Sequence, residues 1–168
     1  MGFILRKWKE SDAESIAQNA NNEKIAGNLR NVFPYPYTIE DAKSFIDMCI
    51  NTDESKNLLY AIEINGKAVG SIGVFVKDDV YCRSGEIGYW LGEDYWGKGI
   101  MSEAIRRTCT EAFKRFDIIR IYAEPYAYNT GSRKALEKAG FSLEGVLKSS
   151  VYKNGIVFDS CVYAIIQN

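Results

Sequence analysis

Residues 86–105 read Glu-Ile-Gly-Tyr-Trp-Leu-Gly-Glu-Asp-Tyr-Trp-Gly-Lys-Gly-Ile-Met-Ser-Glu-Ala-Ile, and this stretch decides the fold. Its first six residues predict a β-strand that runs through a short turn into Trp96-Gly97-Lys98-Gly99, where a helix begins. Two glycines flanking a lysine at a strand-to-helix junction let backbone N–H groups converge on phosphate oxygens. The helix adds the positive end of its dipole. The sequence therefore predicts a phosphate-bearing ligand at this junction.

The composition limits the classes of partner. A chain of 168 residues with 46% hydrophobic and 26% charged residues is typical of one globular domain. A net charge of −1 argues against a nucleic-acid partner, because such affinity depends on excess Lys and Arg. No stretch approaches the roughly 18 apolar residues of a membrane span, and the N-terminal residues lack a signal-peptide layout. We therefore expect a cytoplasmic protein with no membrane partner.

Histidine is absent from the chain. This absence disfavours Ser-His-Asp hydrolysis, Cys-His nucleophilic catalysis and nearly every zinc site, so we expect no metal. The four cysteines form no C-x-x-C pair and are interpreted as reduced residues of a cytoplasmic protein. They are Cys49, Cys82, Cys109 and Cys161. Proton transfer near neutral pH must then use a carboxylate, Tyr, Cys, Lys or water.

Four helices are predicted, and capping residues mark the start of three of them. These caps are Ser11 with Glu14 in the capping-box position, Thr38 with Asp41, and Asn129. The remaining helix covers about residues 101–116, and Gly140 ends the last one. Residues 21–37, between the first two helices, are predicted to be irregular because they hold two prolines and little periodicity.

Seven strands are predicted, and two pairs of them form tight hairpins. Asn65-Gly66 and Asn154-Gly155 carry the type I′ turn signal. The predicted strands cover residues 3–9, 58–64, 67–76, 85–91, 118–123, 141–151 and 156–166. The element order β-α-α-β-β-β-α-β-α-β-β indicates an α+β domain.

The glycine turn has two other interpretations. Gly92-x-x-x-x-Gly97-Lys98 is close to a P-loop, but Gly99 follows where magnesium binding needs Ser or Thr. The chain also lacks the alternating parallel β-α units of a nucleoside triphosphatase, so that function is disfavoured. A tight turn that only needs flexible glycines remains the structural alternative.

The segment Trp96–Met101 resembles the acetyl-CoA pyrophosphate loop of the GCN5-related N-acetyltransferases (GNAT), whose motif is Arg/Gln-x-x-Gly-x-Gly/Ala. Gly99 matches the first glycine of the motif. Trp96 replaces the Arg or Gln, and Met101 replaces the second small residue. Trp at the first position is usual in the RimJ/RimL-like branch of the family.

Three more segments resemble the same branch. Residues 5–13 are similar to its opening strand and first helix, residues 36–42 to the start of its second helix, and residues 129–141 to its closing motif. The resemblance implies one N-acetyltransferase domain over residues 1–168. It implies a central, mixed, mostly antiparallel, twisted sheet of about seven strands flanked by four helices. Two splayed parallel strands would form the acyl-CoA cleft.

The resemblance also implies the residues that bind acetyl-CoA. The second half of the central strand would line the pantetheine arm, and a backbone N–H near Trp90 would polarise the thioester carbonyl. Asn129 would bond the pantetheine amides or cap its helix. The implied cofactor-binding residues are Tyr89, Trp90, Leu91, Trp96, Gly97, Lys98, Gly99, Ile100, Met101, Ser102 and Asn129.

Candidate catalytic residues follow from the same likeness. Glu86 stands where several family members keep a catalytic glutamate, and its alternative role is that of a surface carboxylate at a strand end. Leu136 stands where many relatives have an acid tyrosine, so the acid would be Ser132, the serine position of the RimJ/RimL-like branch. Alternatively, Ser132 supports the cap of its helix. Tyr126 and Tyr128 are further hydroxyl donors.

The implied reaction moves an acetyl group from acetyl-CoA to a primary amine by direct attack in a ternary complex. The amine would be a protein N-terminal α-amine, a polyamine or another small amine. Its binding site would include Phe33, Tyr35, Glu86 and Tyr152. The alternative is a CoA-binding sensor or regulatory module without turnover, which Met101 and Leu136 favour. The terminal strands could pair between two subunits, so a homodimer is a further expectation.

Overall fold

The computed structural model describes residues 1–168 and places seven strands in one sheet. The strands are β1 (Ile4–Arg6), β2 (Asn57–Ile64), β3 (Lys67–Val76), β4 (Ser84–Leu91), β5 (Arg120–Ala123), β6 (Ser142–Lys153) and β7 (Ile156–Ile166). Their order is β1-β2-β3-β4-β5-β7-β6. Every neighbouring pair is antiparallel except β4 and β5, which are parallel. The predicted α+β class and mixed sheet are confirmed.

Five α-helices surround this sheet, one more than predicted. They are α1 (Ala13–Ala20), α2 (Glu23–Gly27), α3 (Ile39–Ile50), α4 (Ile100–Arg115) and α5 (Thr130–Lys138). The prediction that residues 21–37 are wholly irregular is wrong. The side chain of Asn22 caps α2 by accepting the N–H groups of Lys24 and Ile25, and Ile25 is buried. One turn of helix is too short for apolar periodicity to reveal it.

The predicted helix caps have different outcomes. Thr38 and Asp41 form a capping box on α3, and Asn129 Oδ1 accepts the Ser132 N–H at 3.2 Å. The predicted cap at Ser11 is wrong, because a 3₁₀ turn over Glu10–Asp12 precedes α1. The carboxylate of Asp12 instead binds the Arg6 guanidinium at 2.7 Å and the Lys9 N–H at 2.9 Å. An ion pair from outside the helix therefore replaces the local cap.

Both predicted hairpin turns are confirmed. Asn65 and Gly66 have φ values of 50° and 79°, and Asn154 and Gly155 have values of 52° and 77°. Positive φ at both central residues defines the type I′ turn, whose twist matches that of the flanking strands. The β2–β3 and β6–β7 connections are therefore as short as a hairpin allows.

Apolar clusters cover both sides of β4. Ile87 and Leu91 belong to a cluster of 22 buried residues that includes Ile105 and Tyr163. Trp90 belongs to a second cluster of 12 buried residues, built largely on the helices that precede β2. Because successive side chains of a strand point to opposite faces, the two clusters fix β4 from both sides.

The parallel pair separates part of the way along its length. β4 and β5 are paired only from Ser84–Arg120 to Glu86–Tyr122. Past this point β4 stays paired with β3 as far as Leu91, and β5 stays paired with β7 as far as Ala123. A gap therefore opens between two strands that are each held by their outer neighbours. This confirms the predicted splayed pair.

No helix combines the length and apolarity of a membrane span.

Candidate active site

A cleft of about 640 Å³ fills the gap between β4 and β5. Its walls come from β4, the β4–α4 turn, the end of β5, the start of α5 and the end of α2. All of the predicted cofactor-binding and catalytic residues line it: Glu86, Tyr89, Trp90, Leu91, Trp96, Gly97, Lys98, Gly99, Ile100, Met101, Ser102, Asn129 and Ser132. The topology thus brings together residues from two separate stretches of sequence.

The β4–α4 turn presents a row of unpaired backbone donors. No N–H group from Gly97 to Ser102 has a hydrogen-bond partner within the protein, whereas the Trp96 N–H donates to Glu93 O at 3.0 Å. Gly97 and Gly99 adopt left-handed φ values of 71° and 74°, which curve the chain around the donors. Helix α4 begins here without a side-chain cap. Free amides and the helix dipole together form an anion site.

Side chains of the turn hold its shape. The indole N–H of Trp96 donates to Leu91 O at 2.7 Å, and Lys98 Nζ donates to Asp94 O at 2.6 Å. Trp96 therefore closes the turn at the position where the family motif has Arg or Gln. Met101 is half-buried against the larger core cluster, and its backbone N–H stays free. A larger residue at this motif position therefore leaves the donor row intact.

The pairing register shows which backbone groups of β4 face the gap. Gly92 N–H donates to Val69 O, and Lys77 N–H donates to Ser84 O. Hydrogen-bonded pairs alternate along an antiparallel ladder, so the N–H of Trp90 faces β3. The N–H groups of Tyr89 and Leu91 face the gap instead. The donor expected near Trp90 would therefore be the N–H of Tyr89 or of Leu91.

Two hydroxyl groups meet across the cleft. The Tyr89 hydroxyl oxygen lies 2.6 Å from Ser132 Oγ, so β4 and α5 are bonded through their side chains. Burial of Tyr89 raises the pKa of its phenol well above the ordinary value, which keeps the proton on at neutral pH. Ser132 also donates its N–H to the Asn129 cap. Leu136 is fully buried in the core and does not line the cleft.

Glu86 lies where the two parallel strands separate. Its carboxylate accepts a hydrogen bond from Arg30 at 2.9 Å and from the Tyr122 hydroxyl at 3.3 Å, and Lys77 Nζ lies 3.8 Å away. Burial, followed by the charge of Glu86, raises the pKa of Tyr122 to about 12. The side chain of Glu86 is only 23% exposed. It is therefore a partly enclosed carboxylate surrounded by donors.

Three predicted acceptor residues lie outside the cleft lining. Phe33 packs against Tyr37 and Trp90 with ring centroids 5.1 and 5.8 Å apart, while Tyr35 and Tyr152 are exposed. Sequence reasoning missed other cleft residues, among them Arg30 and Gly88. A glycine inside a strand pattern was the available signal for Gly88, because it often marks close approach of a ligand.

The cysteines and the acidic residues supply no competing chemistry at the cleft. None of the four cysteines lines it, and burial raises the pKa of Cys49 and Cys109 to about 12. All four are free thiols. No group of three or more His, Cys, Asp and Glu side chains is placed to hold a metal ion. The cleft therefore offers backbone amides, hydroxyls, basic side chains and two carboxylates, Glu86 and Glu124.

An anion site continuous with an unpaired strand edge suits a cofactor that carries phosphate at one end and an amide-containing arm at the other. A sequence model of the acetyltransferase (GNAT) domain matches residues 3–142. The chain belongs to the GNAT acetyltransferase family. Membership confirms the predicted family, the predicted acyltransferase activity and acetyl-CoA as cosubstrate.

Relatives and solved structures agree with this assignment. The uncharacterized N-acetyltransferase YoaA of Bacillus subtilis (strain 168) is 29% identical over 169 residues, which cover 98% of this chain and 93% of YoaA. The microcin C7 self-immunity acetyltransferase MccE, solved with acetyl-CoA and AMP, is 27% identical with a TM-score of 0.84, covering 98% and 92% of the two chains. RimL, the ribosomal L7/L12 alpha-N-protein acetyltransferase solved with CoA, is 25% identical with a TM-score of 0.86, covering 98% and 94%.

Proposed function

We propose that this N-acetyltransferase acetylates the α-amine at a protein or peptide N-terminus, by direct attack on acetyl-CoA in a ternary complex. One observation carries the proposal: a single cleft joins the free amides of Gly97–Ser102 to Glu86 and Ser132. The site for the cofactor and the residues proposed to act on the acceptor therefore share one cavity. RimL, a structural neighbour, is described as an alpha-N-protein acetyltransferase, which supports this acceptor.

The cofactor is held by backbone groups. The amides from Gly97 to Ser102 bind the diphosphate, and the free edge of β4 pairs with the amide-containing pantetheine arm as an added strand would. The N–H of Tyr89 then lies beside the thioester carbonyl and stabilises the oxyanion of the tetrahedral intermediate. This arrangement places the acetyl carbon near the fork of the two strands.

Glu86 accepts a proton from the acceptor amine, and the Tyr89–Ser132 hydroxyl pair stabilises the departing thiolate. The ammonium of the acceptor takes the place of Arg30 beside Glu86, and one of its protons passes to that carboxylate. The amine lone pair forms the C–N bond, and the attacking nitrogen releases its second proton to water. Collapse of the intermediate re-forms the C=O bond and breaks the C–S bond. Ser132, which is bonded to Tyr89, donates a hydrogen bond to the departing thiolate, and the thiolate takes its proton from water. No covalent enzyme intermediate is needed.

Charge distribution favours an N-terminal amine over a polyamine. Arg30 and Lys77 both lie within 4 Å of Glu86, so the acceptor end of the cleft is not uniformly acidic. A polyamine carries several positive charges and would be repelled by these cations. We also place the protein in the cytoplasm, where its four free thiols would stay reduced.

The alternative function is a CoA-binding sensor without turnover. Its sequence support was Met101 in the loop and Leu136 in place of a tyrosine. The free N–H of Met101 and the Tyr89–Ser132 pair each weaken that support, because the donor row and a hydroxyl donor are both present. We therefore favour the enzyme.

Two measurements test the proposed function. Isothermal titration with acetyl-CoA should show binding, and thiol release should follow addition of Ser- or Ala-initiated peptides. The thiol assay uses a Cys82→Ser background, because Cys82 is the exposed cysteine and would react with the reagent. Binding without release for any peptide, polyamine or small amine would establish the sensor instead. Release with spermidine but no peptide would overturn the acceptor assignment.

A further inference from the structure

The segment Gly27–Asn31, which we call the strap, connects the two sides of the cleft at its acceptor end. On the β4 side, Arg30 of the strap donates to Glu86 at 2.9 Å. From beyond β5, the Tyr128 hydroxyl donates to Gly27 O. From the end of β6, Lys153 Nζ donates to Leu29 O at 2.7 Å. The strap is thus tied to elements on both sides of the gap.

Lys153 makes an unusual contact for a lysine. It is 8% exposed, and its ammonium group has no carboxylate partner. Its hydrogen-bond acceptors are both neutral: Leu29 O and Asn31 Oδ1, the latter at 3.1 Å. Burying a lysine costs free energy unless its donors are satisfied, so these two bonds are what stabilise the charged group there. Burial also lowers the pKa of Lys153.

The strap forms part of the acceptor wall. Asn28, Leu29 and Arg30 all line the cleft. With the β6–β7 hairpin and the segment around Tyr128 bonded to it, the acceptor end is a bounded opening and not a groove that is free along one side. An acceptor has to pass its amine through this opening to reach the thioester.

We propose that Lys153 is a positioning residue that holds the strap across the cleft and thereby restricts acceptors to peptides with narrow side chains next to the reacting N-terminal residue. The proposal rests on the function proposed above. It adds that selectivity for acceptor width is set by a contact remote from the reacting atoms. Lys153 itself touches neither substrate nor cofactor.

The test compares Lys153→Met, Lys153→Arg and the control Lys148→Met. Methionine keeps the apolar stem and removes the donors, whereas arginine keeps the charge and the donors. Lys148 lies on the same strand but is exposed and pairs with Asp159. All variants should bind acetyl-CoA with wild-type affinity, because none of these lysines lines the cleft. Thermal unfolding and circular dichroism check that each variant is folded.

The first readout is hydrogen exchange of the strap, which needs no turnover. The amides of Asn28 and Leu29 are bonded to Ile25 O and Ala26 O at 3.0 and 3.2 Å. In Lys153→Met their exchange should speed up by about tenfold or more, since local opening becomes easier. Lys153→Arg and Lys148→Met should stay near wild type. Unchanged exchange in Lys153→Met would overturn the positioning role.

The second readout is the ratio of kcat/KM for Ser-Ala-Ala over Ser-Trp-Ala, which share the reacting amine. Wild type should prefer the narrower peptide, and Lys153→Met should reduce this preference about tenfold, a typical value for relaxing one steric contact. Faster exchange with an unchanged ratio would overturn the selectivity claim and leave only a structural contact. If no amine is acetylated by wild type, the proposed function fails, while the exchange measurement still decides whether Lys153 holds the strap.

Discussion

The hydroxyl oxygens of Tyr89 and Ser132 lie 2.6 Å apart and join β4 to α5 across the cleft. Tyr89 belongs to the strand that lines the pantetheine path, and Ser132 to the first turn of α5. The raised pKa of Tyr89 keeps its phenol protonated, so either hydroxyl of the pair can donate the hydrogen bond. This pair supplies a hydroxyl donor where Leu136 supplies none.

Removing the serine hydroxyl should slow the chemical step. In Ser132→Ala, kcat should fall about 10²-fold, the lower range for loss of a hydrogen-bond donor to developing negative charge, while the dissociation constant for CoA stays near wild type. Tyr89→Phe should cause a smaller loss, since Ser132 would remain beside the thiolate. Steady-state kinetics and titration of CoA measure the two quantities. A Ser132→Ala enzyme with full kcat would exclude this residue as the hydrogen-bond donor to the thiolate.

The donor row depends on the left-handed conformation of Gly99. An alanine in this conformation costs about 1–2 kcal/mol, so Gly99→Ala should weaken CoA binding about 5- to 30-fold. The matched control is Gly66→Ala, which has φ +79° in the β2–β3 turn and equally open surroundings. Both variants should lose similar stability in urea unfolding, but only Gly99→Ala should weaken CoA. Equal CoA affinity in the two variants would contradict the diphosphate site.

Local chemistry explains which parts of this molecule could be predicted from sequence. The Asn-Gly turns, the Asn129 cap and the Gly97–Gly99 loop each depend on a few adjacent residues, so their patterns were sufficient. The missed features depend on distant residues: Arg30 meets Glu86 across 56 positions of sequence, and Tyr89 meets Ser132 across 43. A single sequence contains no signal for such pairs. The cap expected at Ser11 failed for the same reason, since Asp12 is held by Arg6 on β1.

Glu86 can be tested by removing its ability to accept a proton. Glu86→Gln should lower kcat/KM about 10²-fold at pH 7, because the amide keeps the shape of the side chain but is not a base. Glu124→Gln is the control, because Glu124 also lines the cleft but is exposed. Full kcat/KM in Glu86→Gln would remove Glu86 as the base.

Gly88 gives steric access to the acceptor side. It lies between Glu86 and Trp90 on the same face of β4, and an added Cβ would meet no atom within 4 Å. Gly88→Val should therefore be folded but should raise the KM for the amine by about tenfold or more. Binding of CoA should change little, because the cofactor pairs with the backbone edge of β4 that faces the gap, whereas the valine side chain projects from a face of the sheet. Gly145→Val, equally open but outside the cleft, is the control.

The ion pair between Arg6 and Asp12 should make stability depend on pH. Burial opposes ionisation of Asp12, but hydrogen bonds from Arg6 and the Lys9 N–H outweigh it and lower the pKa of this carboxyl below 3.8. A depressed folded-state pKa stabilises the protein above the unfolded pKa, and this stabilisation is lost as pH falls through the folded value. The free energy of unfolding should therefore decrease below about pH 4.

Asp12→Asn isolates this contribution. It should destabilise the protein by about 1.5–3 kcal/mol at pH 7, because a buried charge-assisted hydrogen bond is weakened while Arg6 keeps its bond to Glu63. The variant should then lose less stability than wild type on acidification, so the difference in unfolding free energy between the two should be smaller when urea unfolding is measured at pH 3 than at pH 7. Asp94→Asn, an exposed residue without an ion pair, should follow wild type at both pH values. Parallel loss of stability in wild type and Asp12→Asn would assign the acid sensitivity to other carboxylates.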